Sequence, residues 1–329
     1  MEQLWERRKE FHTLTESKIK KLSDNALNRD DIIDIHKTSN GLANTNYILM
    51  YHNGDKFVLR LYTRDSNAGL KEFNLANLLC HEALVPKCVK YFPVSEAFQY
   101  AYSFVEYKKG ILLSNYLDKP DLLPELLKIY KELGQFLARL KAYRFEGSGS
   151  LNPDLTVSRF TTKHNENNPY INFILDCINM VRVKNRLGTS LFNRIKNVLK
   201  IHHDLFPKLN NDYHLVHGDF KPTNILVYES EGALKISGII DWEFAYAGSG
   251  YSDIANLFRF KNIFDEQLKG SFAEGYKSRG GSLNKEWEKS IKLVDLINLC
   301  DLLSSEEERP NMHTDIIKLI TESLNFIER

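Results

Sequence analysis

The chain is poor in several features that would settle its class at once. It has four cysteines in 329 residues, Cys80, Cys88, Cys177 and Cys300, and no two form a CxxC pair. That spacing suits neither a zinc site nor a disulfide framework, and it predicts buried free thiols in a reducing cytoplasm. The formal net charge is +1, so no global field draws in nucleic acid or an anionic membrane. No apolar run reaches membrane-spanning length. The opening "MEQLWERRKEF" is broken by charges every two or three residues, which excludes a signal-peptide core. There is no GxxxxGK[ST] and no GxGxxG, so the P-loop and Rossmann readings lack their signatures. Ten histidines are present but no HExxH. The adjacent His202 and His203, and His214 and His217 three apart, fall short of a transition-metal pattern.

What is present is ordinary in bulk and specific in detail. Hydrophobic residues make up 43% and charged residues 26%, as in a water-soluble globular protein, and the length suits two lobes. Residues 1–30 read as helical and polar, with Thr13 and Glu16 as a capping box. "DIIDIHKTS" (31–39), "TNYILMYH" (45–52) and "DKFVLRLY" (55–62) read as three antiparallel strands. Asn53-Gly54 joins the last two, a strong hairpin signal. Leu70, Phe73, Leu75, Leu78 and Leu79 recur at helical spacing. "KCVKYFP" and "FQYAYSFVEY" add two strands ending near Glu106. After Lys108-Lys109-Gly110 the pattern turns helical, over 122–143, 170–186, 190–203, 284–303 and 312–327. In that region only 213–217, 224–228 and 234–241 look like strands, and 145–169 reads as a connecting loop. The reading is an α+β chain in three parts: an N-terminal helical segment (1–30), a β-rich lobe (31–106) and an α-rich lobe (107–329). A cleft between two such lobes is a common place for a ligand.

One stretch calls for a chemical explanation. "HLVHGDFKPTNILV" (214–227) sets an Asp, a Lys and an Asn tightly between apolar runs, and "IIDWEFA" (239–245) follows one hairpin later. The hairpin returns Asp241 beside Asn224, with Asp219 at the start of the preceding loop. Oxygen donors without His or Cys suit magnesium, which takes one or two carboxylates plus phosphate oxygens and water. One carboxylate need not bind metal: Asp219, with an unperturbed pKa of about 3.9, is ionised at neutral pH and could accept a proton from an attacking hydroxyl. Lys221 can set a positive charge near a transferring phosphoryl group.

In this order and spacing, "HGDFKPTNILV" and "IIDWEFA" resemble the catalytic and metal-binding motifs of the aminoglycoside phosphotransferase and choline kinase superfamily. The resemblance implies a protein-kinase-like bilobal fold and a small-molecule kinase. It assigns Asp219 as the catalytic Asp, with Lys221 beside it, and Asn224 and Asp241 as magnesium ligands. His217 and Asp253, the latter in "GYSDIANLF", become structural supports of the loop. In the small lobe, Arg60 of "FVLRLY" matches the basic residue on the nucleotide phosphates and Glu72 the helix Glu that pairs with it. "SNGLANTNYIL" (39–49) is similar to the loop over the phosphates, with Gly41 and Asn44 in it. "FVEYKKG" is similar to the hinge, where the backbone near Glu106 and Tyr107 would pair with a purine. The resemblance runs from about residue 31 to 260 and fades beyond.

Three departures bear on function. Arg60 replaces the Lys common in aminoglycoside kinases and can still grip phosphate with two donors. Lys221 stands where many relatives carry His. "DWE" replaces DFG and no APE follows, which argues against a protein substrate. Some of these residues also have ordinary structural readings: Lys221 as a solvated surface Lys, Arg60 and Glu72 as a structural ion pair, Trp242 and Phe244 as core, and "SSEEERP" (304–310) as a solvated loop rather than a cation-binding rim. The expectation is a cytoplasmic, ATP-dependent kinase, with GTP also admissible, using Mg²⁺ on a hydroxyl of a small molecule. It is most like the antibiotic-type phosphotransferases, with choline, ethanolamine or homoserine kinases as alternatives and a nucleotide-binding pseudokinase as a rival of another class.

Overall fold

A computed structural model of the chain describes residues 5–6, 12–38, 44–159, 168–206 and 213–329. The first helix, α1 (Glu16–Leu27), is shorter than the 1–30 expectation. Thr15 caps it, its hydroxyl accepting from the Lys18 N–H, and Asn28 closes it in the left-handed region. The expected capping role of Thr13 is corrected: its hydroxyl accepts from Lys37 Nζ instead. The strands β1 (Ile32–Lys37), β2 (Thr45–Tyr51) and β3 (Lys56–Tyr62) follow. After them come α2 (Ser66–Leu78), β4 (Cys88–Phe92) and β5 (Ala101–Glu106). Among the described residues these strands form one antiparallel sheet in the order β1-β2-β3-β5-β4. β2 alternates buried and half-buried positions along its length, as a strand with one covered face must. The cover is α1, whose Ile19, Leu22 and Ala26 join Leu49, Leu59, Leu61 and Phe104 in one apolar cluster.

The rest of the chain builds a separate and larger core. β6 (Ile111–Leu112) leads into α3 (Leu123–Leu140), then β7 (Gly149–Leu151), β8 (Val157–Arg159), α4 (Pro169–Asn179) and α5 (Val181–Ile201). β9 (His214–Val216), β10 (Ile225–Ser230), β11 (Ala233–Ile239) and β12 (Tyr246–Gly248) precede α6 (Tyr251–Leu257), α7 (Asp265–Ser278), α8 (Trp287–Leu303) and α9 (Pro310–Ile327). Helices α3 and α7 touch backbone to backbone. A Cβ on Gly134 would lie 2.2 Å from the Phe272 carbonyl oxygen, and one on Gly275 would lie 1.9 Å from that of Lys131. Only a residue without a side chain fits at either point.

Several expectations change. Met180, with extended backbone, divides α4 from α5, while the expected break near 187–189 survives as a kink at Gly188 inside α5. The 145–169 segment contains the β7–β8 hairpin. β6 and β12 are strands of two residues and three, too short to show a period. Helices α6 and α7 occupy a stretch that the apolar pattern left unassigned, with Asp253 on a helix as the resemblance implies. Of the thiols, Cys177 and Cys300 are buried but Cys80 is exposed and Cys88 half-buried; all four are free. The "SSEEERP" run is solvated as expected, with the Glu306 and Glu308 side chains 88% and 80% exposed, although Arg186 of α5 donates to Glu308 at 2.6 Å. Among the described residues no helix is long and apolar enough to cross a membrane.

Residues 5 and 6 dock at the far end of the chain. Trp5 is buried in the larger core and its indole N–H donates to Asp315 of α9. The Glu6 carboxylate accepts from the N–H groups of Asn311 and Met312, in the first turn of α9. Those N–H groups have no acceptor inside the helix, and a carboxylate there also suits the helix dipole.

Candidate active site

The turn between β9 and β10 carries the site's lower half. His217, Gly218 and Asp219 make a bend whose backbone is tied on every side. The N–H groups of His217 and Gly218 donate to the two oxygens of Asp253, at 2.8 and 2.9 Å. The Asp219 N–H donates to His217 Nδ1 at 3.2 Å, and the Asp219 carbonyl accepts from Asn224 Nδ2 at 2.9 Å. Gly218 has φ +82°, and a Cβ there would sit 2.3 Å from the Phe244 carbonyl oxygen. Conformation and space both demand glycine.

His217 is fully buried. With Nδ1 accepting, its Nε2 carries the proton and donates to the Ile240 carbonyl at 3.0 Å. Burial lowers its pKa to about 4, so the ring is neutral at pH 7 and both nitrogens serve the backbone. Burial raises Asp253 to about 7 even though two backbone N–H groups favour its charge. The hairpin does what the sequence suggested: Ile225 pairs with Ile239, and the Ile240 N–H donates to the Asn224 carbonyl.

Above the turn, Asp219 is held by two neighbours. Asn224 Nδ2 donates to its Oδ2 at 2.8 Å, and Lys221 Nζ lies 3.1 Å from its Oδ1. Lys221 is therefore no solvated surface lysine; its side chain is only 15% exposed. Because the Asn224 amide nitrogen faces Asp219, its Oδ1 is turned the other way.

The second acidic group stands with the sheet. Asp241 has φ +72° and ψ +59°, a conformation that strains a residue with a side chain and tends to mark functional sites. Arg60 of β3 reaches it, Nη2 to Oδ1 at 2.5 Å, and also lies 3.1 Å from Glu72 of α2 through Nε. Tyr62 donates to the same Glu72 oxygen at 2.7 Å. Burial raises Glu72 to about 7 against the pull of Arg60. Burial also opposes the charge of Asp241, but the adjacent guanidinium outweighs it and holds the carboxyl below its ordinary range.

Of the residues marked from sequence, Asp219, Lys221, Asn224, His217 and Asp253 thus form one bonded group, and Arg60, Glu72 and Asp241 another. Asn44, in the 39–49 stretch, donates to Glu243 at 3.1 Å. Gly41 lies outside the described residues. In the stretch expected to be a hinge, the Glu106 carboxylate accepts from the Lys87 N–H and from Lys108 Nζ, and Lys56 lies over the Tyr107 ring.

Sequence reasoning missed Glu243. It is buried, pairs with Arg64 at 3.3 Å, and is raised by burial and by its neighbour Asp241. Its signal was a carboxylate inside the apolar run "IIDWEFA", since a buried Glu must have partners. Trp242 packs in the core as expected, whereas Phe244 is 43% exposed with the Arg64 guanidinium over its ring.

The donor set fits a hard divalent cation that completes its shell with phosphate oxygens. The Asn224 Oδ1 and the Asp241 carboxylate are oxygen donors, and among the described residues no three His, Cys, Asp or Glu side chains gather as a metal cage. A sheet carrying an Arg–Glu pair, joined to a helical region carrying an Asp-x-Lys-x-x-Asn turn and a hairpin Asp, defines a small-molecule kinase. The chain belongs to the phosphotransferase enzyme family APH, which matches residues 34–290.

Solved structures share the fold at low identity. A thermostable mutant of aminoglycoside phosphotransferase APH(4)-Ia, in a ternary complex with ADP and hygromycin B, is 19% identical, with 94% of this chain and 97% of that one covered and a TM-score of 0.65. The GDP complex of wild-type aminoglycoside 2'-phosphotransferase-IIIa is 15% identical, with 95% and 99% covered and a TM-score of 0.67. A candidate fructosamine-3-kinase from Thermobifida fusca is 14% identical, with 95% and 100% covered and a TM-score of 0.61. No curated protein matches the chain.

Proposed function

We propose that the protein transfers the γ-phosphate of ATP to a hydroxyl of a small molecule, with an aminoglycoside-type antibiotic as the first acceptor class to test. The observation that carries this reading is the Asp219 carboxylate, held by Asn224 and Lys221 on the turn that the Asp241 hairpin closes. In the reaction, Asp219 accepts the proton of the acceptor hydroxyl as its oxygen bonds to the γ-phosphorus. The bond from that phosphorus to the β,γ-bridging oxygen breaks, and ADP leaves. Lys221 stands beside Asp219 to offset the negative charge spreading over the transferring group. Arg60 holds nucleotide phosphates with two donors, in concert with the 39–45 loop. The backbone near Glu106 and Tyr107 receives the purine. Asn224 and Asp241 would hold a magnesium ion, which when bound supplies charge neutralisation at the phosphate oxygens. His217 and Asp253 keep the turn in place without exchanging protons with the acceptor.

The neighbours crystallised with ADP or GDP support nucleotide binding and leave ATP and GTP to be compared directly. The test is nucleotide consumption, with either triphosphate and Mg²⁺, against aminoglycosides, macrolides, amino alcohols and sugars. Turnover on an aminoglycoside is the expected result, with Asp219→Asn lowering kcat by roughly 10²–10⁴, the usual worth of a positioned base. Turnover confined to amino alcohols moves the acceptor class to the choline or homoserine kinases. Nucleotide binding without turnover on any acceptor overturns the reading in favour of a pseudokinase.

A further inference from the structure

Helix α6 meets the Asp219 turn at two points. Asp253 takes its N–H groups, as described above. One turn further along the helix, Asn256 Nδ2 donates to the Gly218 carbonyl at 3.1 Å. This carbonyl begins the peptide that carries Asp219, so its direction fixes where the Asp219 side chain starts.

The orientation of the Asn256 amide is itself dictated. Its Oδ1 accepts from Arg259 Nη2 and from Asn298 Nδ2, the latter at 3.0 Å. With two donors on the oxygen, the nitrogen must face Gly218. Arg259 is in turn clamped by Asp295 of α8, Nε to Oδ1 at 2.9 Å and Nη2 to Oδ1 at 2.7 Å. Asn256 and Asp295 are each 1% exposed and Arg259 5%. The links from Asp295 through Arg259 to Asn256 are therefore buried, and each bond on the way to Gly218 leaves the next group one orientation. Lys292, one turn before Asp295, ties α8 to α6 a second time by donating to the Phe258 carbonyl.

As a stability device this arrangement is poor. A buried Arg–carboxylate pair loses about as much hydration as it gains in attraction, and well-packed apolar residues of like volume often do as well or better. What an apolar pair cannot do is orient an amide.

We propose that Asn256, Arg259, Asp295 and Asn298 form a positioning relay, by which α8 fixes the Gly218–Asp219 peptide and so aims the Asp219 carboxylate. The proposal rests on Asp219 being the base. It places control of that base in a helix that begins at Trp287, beyond the stretch that carries the sequence motifs.

The test separates aim from stability. The paired replacement Arg259→Met with Asp295→Leu should fold with a Tm within a few degrees of the parent, yet lower kcat 10- to 100-fold with the nucleotide KM within about twofold. The near-isosteric Asn256→Asp, which sets an oxygen against the Gly218 carbonyl, should give the same kinetic split. In an Asp219→Asn background the relay substitutions should cost less than a further twofold, because the group they aim is gone. Hydrogen exchange at His217, Gly218 and Asp219 should quicken at least tenfold in Asn256→Asp, with α3 unchanged. Full kcat in both variants, or a loss that adds undiminished to Asp219→Asn, overturns the relay. If Asp219→Asn itself keeps full turnover, the base assignment fails, and the exchange rates still decide whether the relay holds the turn. Should the paired replacement not fold, Asn256→Asp carries the test alone.

Discussion

The two halves of the site are held by different physics. On the sheet side, polar side chains reach from one region to the other: the guanidinium of Arg60 to Asp241, and that of Arg64, with the neutral amide of Asn44, to Glu243. Below, the 217–219 turn is held by bonds to backbone groups, from Asp253, Asn256, His217 and Asn224. Ionic contacts across a cleft can be exchanged, since a guanidinium that holds a carboxylate can hold a phosphate instead. Buried backbone bonds cannot be exchanged without leaving an orphaned donor. The comparison teaches a division of labour: the contacts on the sheet side are of a kind that can be traded for another anion, as the proposed function requires, and those of the turn are not.

The largest blow to this contrast should come from Asp253→Ala. It leaves the buried N–H of His217 and the part-buried N–H of Gly218 without an acceptor. Each orphaned group costs about 1–3 kcal/mol, so denaturant unfolding should show a loss on the order of 2–6 kcal/mol, with kcat falling as the turn loosens. A loss below about 1 kcal/mol would mean that the turn is no more rigid than its surroundings.

Arg60→Ala probes the other half and should fail differently. Glu72, already raised to about 7 by burial, can take up a proton when its cation is removed, so the folded state keeps most of its stability. The nucleotide loses a charged partner that must first give up Asp241, so the net loss is that of one charged hydrogen bond, about 1.5–3 kcal/mol. The expected result is a rise of roughly 10- to 100-fold in nucleotide KM with a smaller change in kcat. A collapse of Tm with KM unchanged would make Arg60 a structural residue and erase the distinction between the halves.

How much of this was legible beforehand follows from where each signal sits. The Asp219 turn and the Asp241 hairpin were readable because polar residues at fixed spacing interrupt apolar strands, and local turn chemistry leaves few other arrangements. Arg60 and Glu72 were readable only through resemblance; nothing local in "FVLRLY" says which carboxylates its Arg will meet. Helix α6 was readable only through the resemblance that sets Asp253 on a helix; its pattern is silent because six of its residues from Ser252 to Leu257 are buried, so it has no polar face and no period. Helix α7 was masked by its two glycines and by a stripe of only Leu268, Phe272 and Tyr276. The docking of Trp5 on α9 could not be read at all, because its partner Asp315 is 310 residues away. Asn256 and Arg259 did leave a trace, as polar residues in the apolar run "DIANLFRF", but their partners on α8 lie 42 and 36 positions downstream, respectively.

The last and smallest test uses pH to ask whether the rigid half depends on a neutral ring. His217 has a folded pKa of about 4 against an ordinary value of 6.5. Between those values the unfolded chain binds a proton that the folded chain refuses. The stabilisation is thus complete above about pH 6.5 and drains away as pH falls toward 4. From pH 7 to 5 the loss amounts to roughly 1–2 kcal/mol. Glu72 and Asp253, both raised to about 7, work the other way, since the folded chain takes their protons first. A single stability curve therefore mixes opposite slopes. The difference between the parent and His217→Gln does not, because Gln keeps a donor for the Ile240 carbonyl and carries no titrating ring. The parent should lose about 1–2 kcal/mol more than the variant between pH 7 and 5 in urea unfolding. Parallel curves would show that the ring is protonated in the folded chain, and that the turn holds without a neutral His217 at its centre.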